Sequence, residues 1–208
     1  MHKVVLVDDH PFIRASVRAL VTQAGHEVVA EADNGVDAIT AVREWTPDLV
    51  LLDITMPRMD GITVIERIRA LEMTTKIIVL SYLSPEHYAM RCVTAGAAGF
   101  ICKSDELSTL PQAIKSVMDG YVYFPQSSVP LNGKVGVFTH EEQLIATLSN
   151  RELSVFQQLS NGMSNKDIAT NILLSSKTIS CYKARLFAKL NVTSVVELAD
   201  MARRNSII

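Results

Sequence analysis

Five short apolar runs punctuate the first 124 residues of the chain: KVVLV from Lys3, EVVAEA from Glu27, DLVLLD from Asp48, KIIVLS from Lys76 and GFIC from Gly99. Strands that are apolar on both faces and separated by about 15 to 25 residues imply a parallel sheet covered by helices. The stretches between them agree. Pro11 to Ala24, Gly35 to Trp45, Gly61 to Leu71, Pro85 to Ala95 and Asp105 to Gly120 all carry apolar residues at helical spacing. Five strand-helix units in about 120 residues make a doubly wound α/β domain with a five-stranded sheet.

The rest of the chain has a different character. PQSSVPLNGKVGVF, residues 125 to 138, mixes Pro, Gly and Ser without periodicity and reads as a linker. Capping boxes then follow in quick succession: Thr139 with Glu142, Ser149 with Glu152, Ser194 with Glu197, and a weaker one at Ser164 with Asp167. Together with apolar residues at helical spacing, they predict helices near 140–148, 150–160, 165–173, 177–190 and 195–205. Charge divides at the same place. Residues 1–148 carry 12 Lys/Arg against 18 Asp/Glu, a net −6, and residues 149–208 carry 8 against 4, a net +4. Two units with different partners follow from that asymmetry.

Composition excludes several classes. No run approaches the roughly 18 apolar residues of a membrane span, and two acids arrive too early for a signal peptide, so the expected location is the cytoplasm. Cys92, Cys102 and Cys181 are scattered and odd in number, which reads as free thiols. No pair of the five histidines has the i, i+4 spacing of a helical zinc site, which argues against a histidine-based metal centre.

In an open parallel sheet, ligands bind outside the carboxyl ends of the strands. Asp8 and Asp9 end the first strand, Asp53 the third, Ser81 the fourth and Lys103 the fifth, so all converge on one edge. Three carboxylates brought together repel one another unless a cation intervenes. A hard oxygen site with room for phosphate suits Mg2+. Asp53 is then placed for nucleophilic attack on a phosphoryl group, with Lys103 neutralising charge and the Ser81 hydroxyl bonding a phosphoryl oxygen. Each residue alone has an ordinary explanation as a turn former, cap or solvent-facing group; the five together carry the reading. A phosphatase of the haloacid dehalogenase kind would end its first strand in Asp-x-Asp, whereas Asp8 and Asp9 are adjacent.

VLVDDHP, DLVLLDITMPRMDG, IIVLS and AGAAGFICK resemble, in order and spacing, the flavodoxin-like receiver domain of bacterial two-component response regulators. The resemblance covers about residues 1–120. It implies Asp53 as phospho-acceptor, Asp8, Asp9, Asp53 and the Thr55 carbonyl as Mg2+ ligands, Lys103 as a phosphoryl contact, and Ser81 with Phe100 as a switch pair. Two departures stand out. Ser104 follows the lysine where many receivers have Pro, and Phe100 lacks the hydroxyl that many carry as Tyr, so it switches by packing or is a plain core residue.

In the basic half, SNKDIATNILLSSKTISCYKARLFAKL gives two helices joined by a turn near Leu174 to Ser176. On the second helix Ile179, Leu186 and Leu190 share one face, flanked by Tyr182 and Phe187. Lys177, Ser180, Cys181, Ala184, Arg185 and Ala188 share the other, a small polar face suited to a major groove. LSNREL, NGMSNKDIA, SSKTISCYKARLFAKLNV and SVVELA resemble the LuxR-type helix-turn-helix domain of the NarL/FixJ regulators, most like the BvgA/EvgA subgroup, over about residues 145–208. That resemblance implies base contacts from Ser180, Cys181 and Ala184 and phosphate contacts from Lys177, Lys183 and Arg185. Lys183 sits toward the apolar flank and reaches phosphate only by snorkelling. Val195, Leu198 and Ala202 on the last helix form either a dimer surface or a core face.

The sequence thus reads as a receiver over 1–124, a linker over 125–143 and a small all-α DNA-binding domain over 144–208. The expected partners are a sensor histidine kinase, double-stranded DNA with two half-sites and a second copy of the chain after phosphorylation. The chain is not expected to be a dedicated enzyme. The alternative is a DNA-binding regulator whose receiver is a docking module independent of phosphorylation.

Overall fold

A computed structural model describes residues 1–56, 59–83, 85–104, 107–125, 140–172, 174–205 and 207–208. The chain divides into two compact units, Met1–Val129 and Pro130–Ile208. The expected linker and the Thr139 cap fall largely or wholly outside the described residues, as do Pro57 and Arg58 of the turn after Asp53.

The first unit alternates strand and helix: β1 (Lys3–Val7), α1 (Pro11–Gln23), β2 (Glu27–Ala32), α2 (Gly35–Trp45), β3 (Leu49–Asp53), α3 (Gly61–Ala70), β4 (Lys76–Ser81), α4 (Pro85–Ala95), β5 (Gly99–Cys102) and α5 (Leu110–Met118). All neighbouring strands pair in parallel, in the order β2-β1-β3-β4-β5. One face of the sheet, built from Val4, Leu6, Leu49, Leu51, Ile78, Leu80 and Ile101, packs on Val17 and Val21 of α1 and on Leu110, Ile114 and Val117 of α5. Burying such aliphatic side chains contributes roughly 1.5–3 kcal/mol each. Two sequence expectations are refined. β2 is an edge strand whose side chains are half-buried or exposed up to Ala32, so its two glutamates are accommodated. The last helical stretch opens as a 3-10 turn, Leu107–Thr109, before α5, because Pro111 has no amide to donate and fits only a first turn.

Chain order reverses between β1 and β3, which lie side by side while β2 continues on one flank and β4 on the other. That reversal opens the crevice where ligands of such sheets bind. Asp8 and Asp53 stand on its two sides.

The second unit comprises α6 (His140–Ala146), α7 (Asn150–Ser160), α8 (Asn165–Asn171), α9 (Ser176–Leu190) and α10 (Val195–Arg204). Its core gathers Leu153, Phe156, Ile168, Ile179, Leu186, Leu190 and Leu198, all at most 1% exposed. Leu198 and Ala202 are fully buried, so they form a core face, while Val195 is only half-buried; the exposed large apolar residue of α10 is Val196, at 71%.

The helix starts bear on how the unit holds together. At α7 the capping box is complete: Ser149 Oγ accepts the Glu152 amide and the Glu152 carboxylate accepts the Ser149 amide. The same carboxylate receives Lys189 Nζ at 2.7 Å, tying the start of α7 to the end of α9. Burial works to raise the Glu152 pKa, but Lys189 and Ser149 outweigh it and hold the group below its ordinary 4.5. A depressed carboxylate stabilises the fold above that ordinary value, and the contribution is lost as pH falls through the lower folded one. At α10 the expected box shifts by one residue. Ser194 caps the Glu197 amide, while the Glu197 carboxylate reaches back to the amide and hydroxyl of Thr193. Ser175 caps α9 by accepting the Thr178 amide, a start with no Glu or Gln at the third position to announce it. No helix among the described residues is long and apolar enough to cross a membrane.

Candidate functional site

The carboxyl edge of the sheet brings the acidic residues together. Lys103, one residue beyond β5, places its Nζ 2.7 Å from Asp8 Oδ2 and 3.1 Å from Asp53 Oδ2. Its side chain is fully buried, and those of Asp8 and Asp53 are 6% and 4% exposed. One ammonium therefore faces two carboxylates, so the cation is over-compensated and the acids under-compensated. Burial, the largest influence, pushes the Asp53 carboxyl up to about 6; the Lys103 charge opposes this and the Asp8 charge adds to it. Burial works to lower the Lys103 pKa, yet Asp53 and Asp8 overcome it and leave the ammonium raised above its usual range.

The surrounding backbone fixes these side chains. Asp53 Oδ1 accepts the Thr55 amide at 3.2 Å, and Asp8 Oδ1 accepts the His10 amide at 2.8 Å. Asp60 caps α3 by accepting the Thr63 amide, and the Gly61 amide donates to the Ile54 carbonyl at 2.9 Å, which closes the loop after Asp53. Ser81 is fully buried, its Oγ accepts the Leu83 amide, and its carbonyl accepts the Lys103 amide at 2.9 Å. Phe100 is fully buried too, paired in register with Val79 of β4, and its amide donates to Tyr123.

Ligand atoms of Asp8, Asp9, His10 and Asp53 lie within 4.8 Å of one another. Asp9 Oδ1 is buried and makes no hydrogen bond, and its neighbour at 2.7 Å is His10 Nδ1. A buried carboxylate oxygen without a donor, in a set of three hard carboxylates, fits a divalent cation of the Mg2+ kind. His10 belongs to this cluster although it is remote from every other histidine in sequence. Its only signal is that it follows the acid pair directly. Tyr82 is a second residue that sequence reasoning passed over: its ring centroid lies 5.4 Å from Lys103 Nζ, and the residue is 56% exposed.

In the second unit Lys177, Ser180, Cys181, Ala184 and Arg185 are all exposed on α9, opposite buried Ile179, Leu186 and Leu190. Lys183 is half-buried, with its Nζ 5.6 Å from the Phe187 ring centroid, as its flank position implied. Arg185 lies 6.0 Å from the Tyr182 ring. Asn165, at the start of α8, donates to Ser180 Oγ at 3.2 Å, a link between the two helices that no periodicity signals.

Comparison with known proteins identifies the family. Residues 4–115 match the response regulator receiver domain, and residues 146–202 match the bacterial regulatory proteins of the luxR family. The chain is 47% identical over 206 residues to BvgA, a positive transcription regulator of virulence factors in Bordetella pertussis, covering 99% of both chains. It is 36% identical over 203 residues to the DNA-binding transcriptional activator EvgA of Escherichia coli, covering 98% of each. Among solved structures, a LuxR-family response regulator from Aurantimonas aligns with 60% of this chain and 89% of its own at a TM-score of 0.58 and 34% identity. RcsB of Salmonella typhimurium aligns over 98% of both chains at a TM-score of 0.58; at 24% identity it speaks to the fold alone. Because both halves match in order and the likeness to transcription regulators runs end to end, the chain belongs to the NarL/FixJ family of two-component response regulators with a LuxR-type DNA-binding domain, a transcription regulator and not a dedicated enzyme.

Proposed function

We propose that Asp53 accepts a phosphoryl group from a partner sensor histidine kinase and that the phosphorylated chain binds DNA through α9. The observation that carries this reading is the buried ion triad of Asp8, Asp53 and Lys103 at the sheet's switch point. In the transfer an Asp53 carboxylate oxygen bonds to phosphorus while the bond from phosphorus to the donor imidazole nitrogen breaks. The products are an aspartyl phosphate and a free imidazole. Asp8, Asp9, Asp53 and the Thr55 carbonyl would hold Mg2+, which when bound neutralises charge on the phosphoryl oxygens. Lys103 gives up part of its contact with Asp53 to take a phosphoryl oxygen. Ser81, whose Oγ already accepts an amide, has its proton left to donate to another. Phe100 follows Ser81 by packing alone, since it has no hydroxyl.

Phosphorylation then shifts the receiver, residues 1–124, between two states that differ in dimer affinity. Across the linker at 125–143, the domain at 144–208 would present two α9 helices one turn apart to two half-sites. Base edges would meet Ser180, Cys181 and Ala184; phosphates would meet Lys177, Arg185 and the snorkelling Lys183. The 36% identical activator EvgA, named as DNA-binding, supports the reading that this domain binds DNA. A kinase that donates the phosphoryl group and a DNA target would both be met in the cytoplasm, which supports that location for the protein.

The test uses the full-length protein on duplexes selected from a random pool. Beryllofluoride with Mg2+ is expected to tighten binding by about tenfold or more through bivalency, and Asp53→Asn to abolish that response. Equal binding with and without beryllofluoride in the wild type would favour the docking-module alternative. On the same duplexes, Lys177→Ala and Arg185→Ala should each weaken binding across sequences and reduce the salt slope by about 1. An unchanged slope removes that residue from the phosphate contacts.

A further inference from the structure

Asp8 stands at the end of β1, where the ladder no longer dictates its orientation. Its amide donates to the Ala32 carbonyl of β2 at 3.1 Å. Its own carbonyl accepts Arg14 Nη1 at 2.6 Å. The same guanidinium donates through Nε to Glu31 Oε2 at 2.9 Å, and Glu31 also accepts from Arg18 one turn along α1. Glu31 and Ala32 are consecutive residues of β2, in register with Leu6 and Val7. β2 thus holds the peptide group on either side of Asp8: one directly, the other through Arg14.

We propose that Arg14 is a positioning residue of the acidic site, spanning from Glu31 to the Asp8 carbonyl so as to set the plane of the Asp8–Asp9 peptide and the aim of both carboxylates. Holding that plane fixes where the Asp9 Cα leaves it, and so directs Asp9 Oδ1, the oxygen that lacks a donor. The guanidinium suits the task because its donors form a rigid planar fork, so one group answers a carbonyl and a carboxylate at a fixed angle. A lysine at this place keeps the charge but brings a single point donor, without the fork. Arg14 is only 20% exposed, and Glu31 is held below its ordinary pKa, burial working upward while Arg18 and Arg14 pull it down. The carboxylate end of the brace therefore stays charged at neutral pH.

This inference rests on the reading that Asp8 and Asp9 hold Mg2+. The sign of the metal response separates it from simple electrostatics. Removing a nearby cation makes the site more negative, which by charge alone would tighten Mg2+ binding. Loss of positioning weakens it.

The experiment is calorimetric titration of the unphosphorylated full-length protein with Mg2+, comparing wild type, Arg14→Ala, Arg14→Lys and Glu31→Gln, with thermal unfolding recorded for each. Groups that orient a ligand from behind typically change metal affinity by about 10–100-fold. We expect Arg14→Ala to raise the dissociation constant by about tenfold, Arg14→Lys to fall short of full rescue, and Glu31→Gln to shift it in the same direction by less. Unchanged or tighter binding in a folded Arg14→Ala overturns the proposal. Should Arg14→Ala fail to fold, Arg14→Lys decides, because it keeps the charge and loses only the fork, and wild-type affinity in that variant overturns the proposal. A wild type that takes up no Mg2+ overturns the site reading itself and this inference with it; a wild type that binds while the variants match it overturns the inference alone.

Discussion

Gly61→Ala is expected to disable the acidic site while leaving its five polar residues in place. A Cβ built on Gly61 would lie 2.2 Å from the Asp53 carbonyl oxygen and 2.7 Å from Ile54 Cα. Both obstacles are backbone, so no rotamer change relieves them. Either α3 withdraws from the end of β3 or the Asp53–Ile54 peptide turns. The first breaks the hydrogen bond from the Gly61 amide to the Ile54 carbonyl and strains the Asp60 cap. The second re-aims Asp53 itself. Overpacking of this kind costs about 1–3 kcal/mol or more, and a misplacement near 1 Å of a reacting group costs on the order of 100-fold in rate. Phosphoryl incorporation from acetyl phosphate, followed with urea unfolding, measures both. Gly25→Ala is the control: its φ of +83° makes any side chain strained, but a Cβ there meets nothing within 4 Å. That variant should lose about 1–2 kcal/mol and keep its incorporation rate. A Gly61→Ala protein that incorporates phosphate as the wild type does would show that the β3–α3 junction yields without moving Asp53.

The contrast between these glycines marks where the sequence is legible. Period and punctuation locate the strands, so Asp8, Asp53, Ser81 and Lys103 can be placed at one sheet edge from their positions in the runs alone. What periodicity does not carry is pairing at long separation. Lys103 lies 95 residues from Asp8, Lys189 lies 37 from Glu152, and Arg69 reaches the Gly96 carbonyl across 27 residues. These contacts depend on helix packing angles and side-chain reach, which no local pattern encodes. The same limit hid Arg14. It reads as one more polar residue near the start of α1, and its role emerges only when β2 is placed beside β1. On α10 the pattern offers Val195, Leu198 and Ala202 as core or interface, and packing within the unit buries Leu198 and Ala202 while leaving Val195 half-buried. A capping box, by contrast, is a local motif, and Ser149 with Glu152 was readable as such; the further bond to Lys189 was not.

Lys103→Met carries the largest effect because it removes the one cation shared by two buried acids. Methionine nearly matches the length and volume of the lysine stem, so packing under the Tyr82 ring is largely kept and the change is one of charge. Breaking a buried ion pair by deleting one partner costs about 3–5 kcal/mol, since the other charge stays desolvated. Here two carboxylates stay behind, each under 7% exposed. Phosphoryl incorporation should fall by about 100–1,000-fold, the usual consequence of deleting one preorganised group that meets developing charge. A second substitution separates stability from chemistry. With Asp8→Asn added, the repulsion between Asp8 and Asp53 disappears, and much of the lost stability should return. Incorporation should not return, because neither the cation nor the second carboxylate has been restored. Urea midpoints and acetyl-phosphate labelling of the single and double variants give the two readings. A Lys103→Met protein as stable as the wild type would mean that the acids already share a proton or a solvent path in the folded state. A double variant no more stable than Lys103→Met would mean that the cost lies in lysine packing, and that the triad is not the electrostatic unit described above.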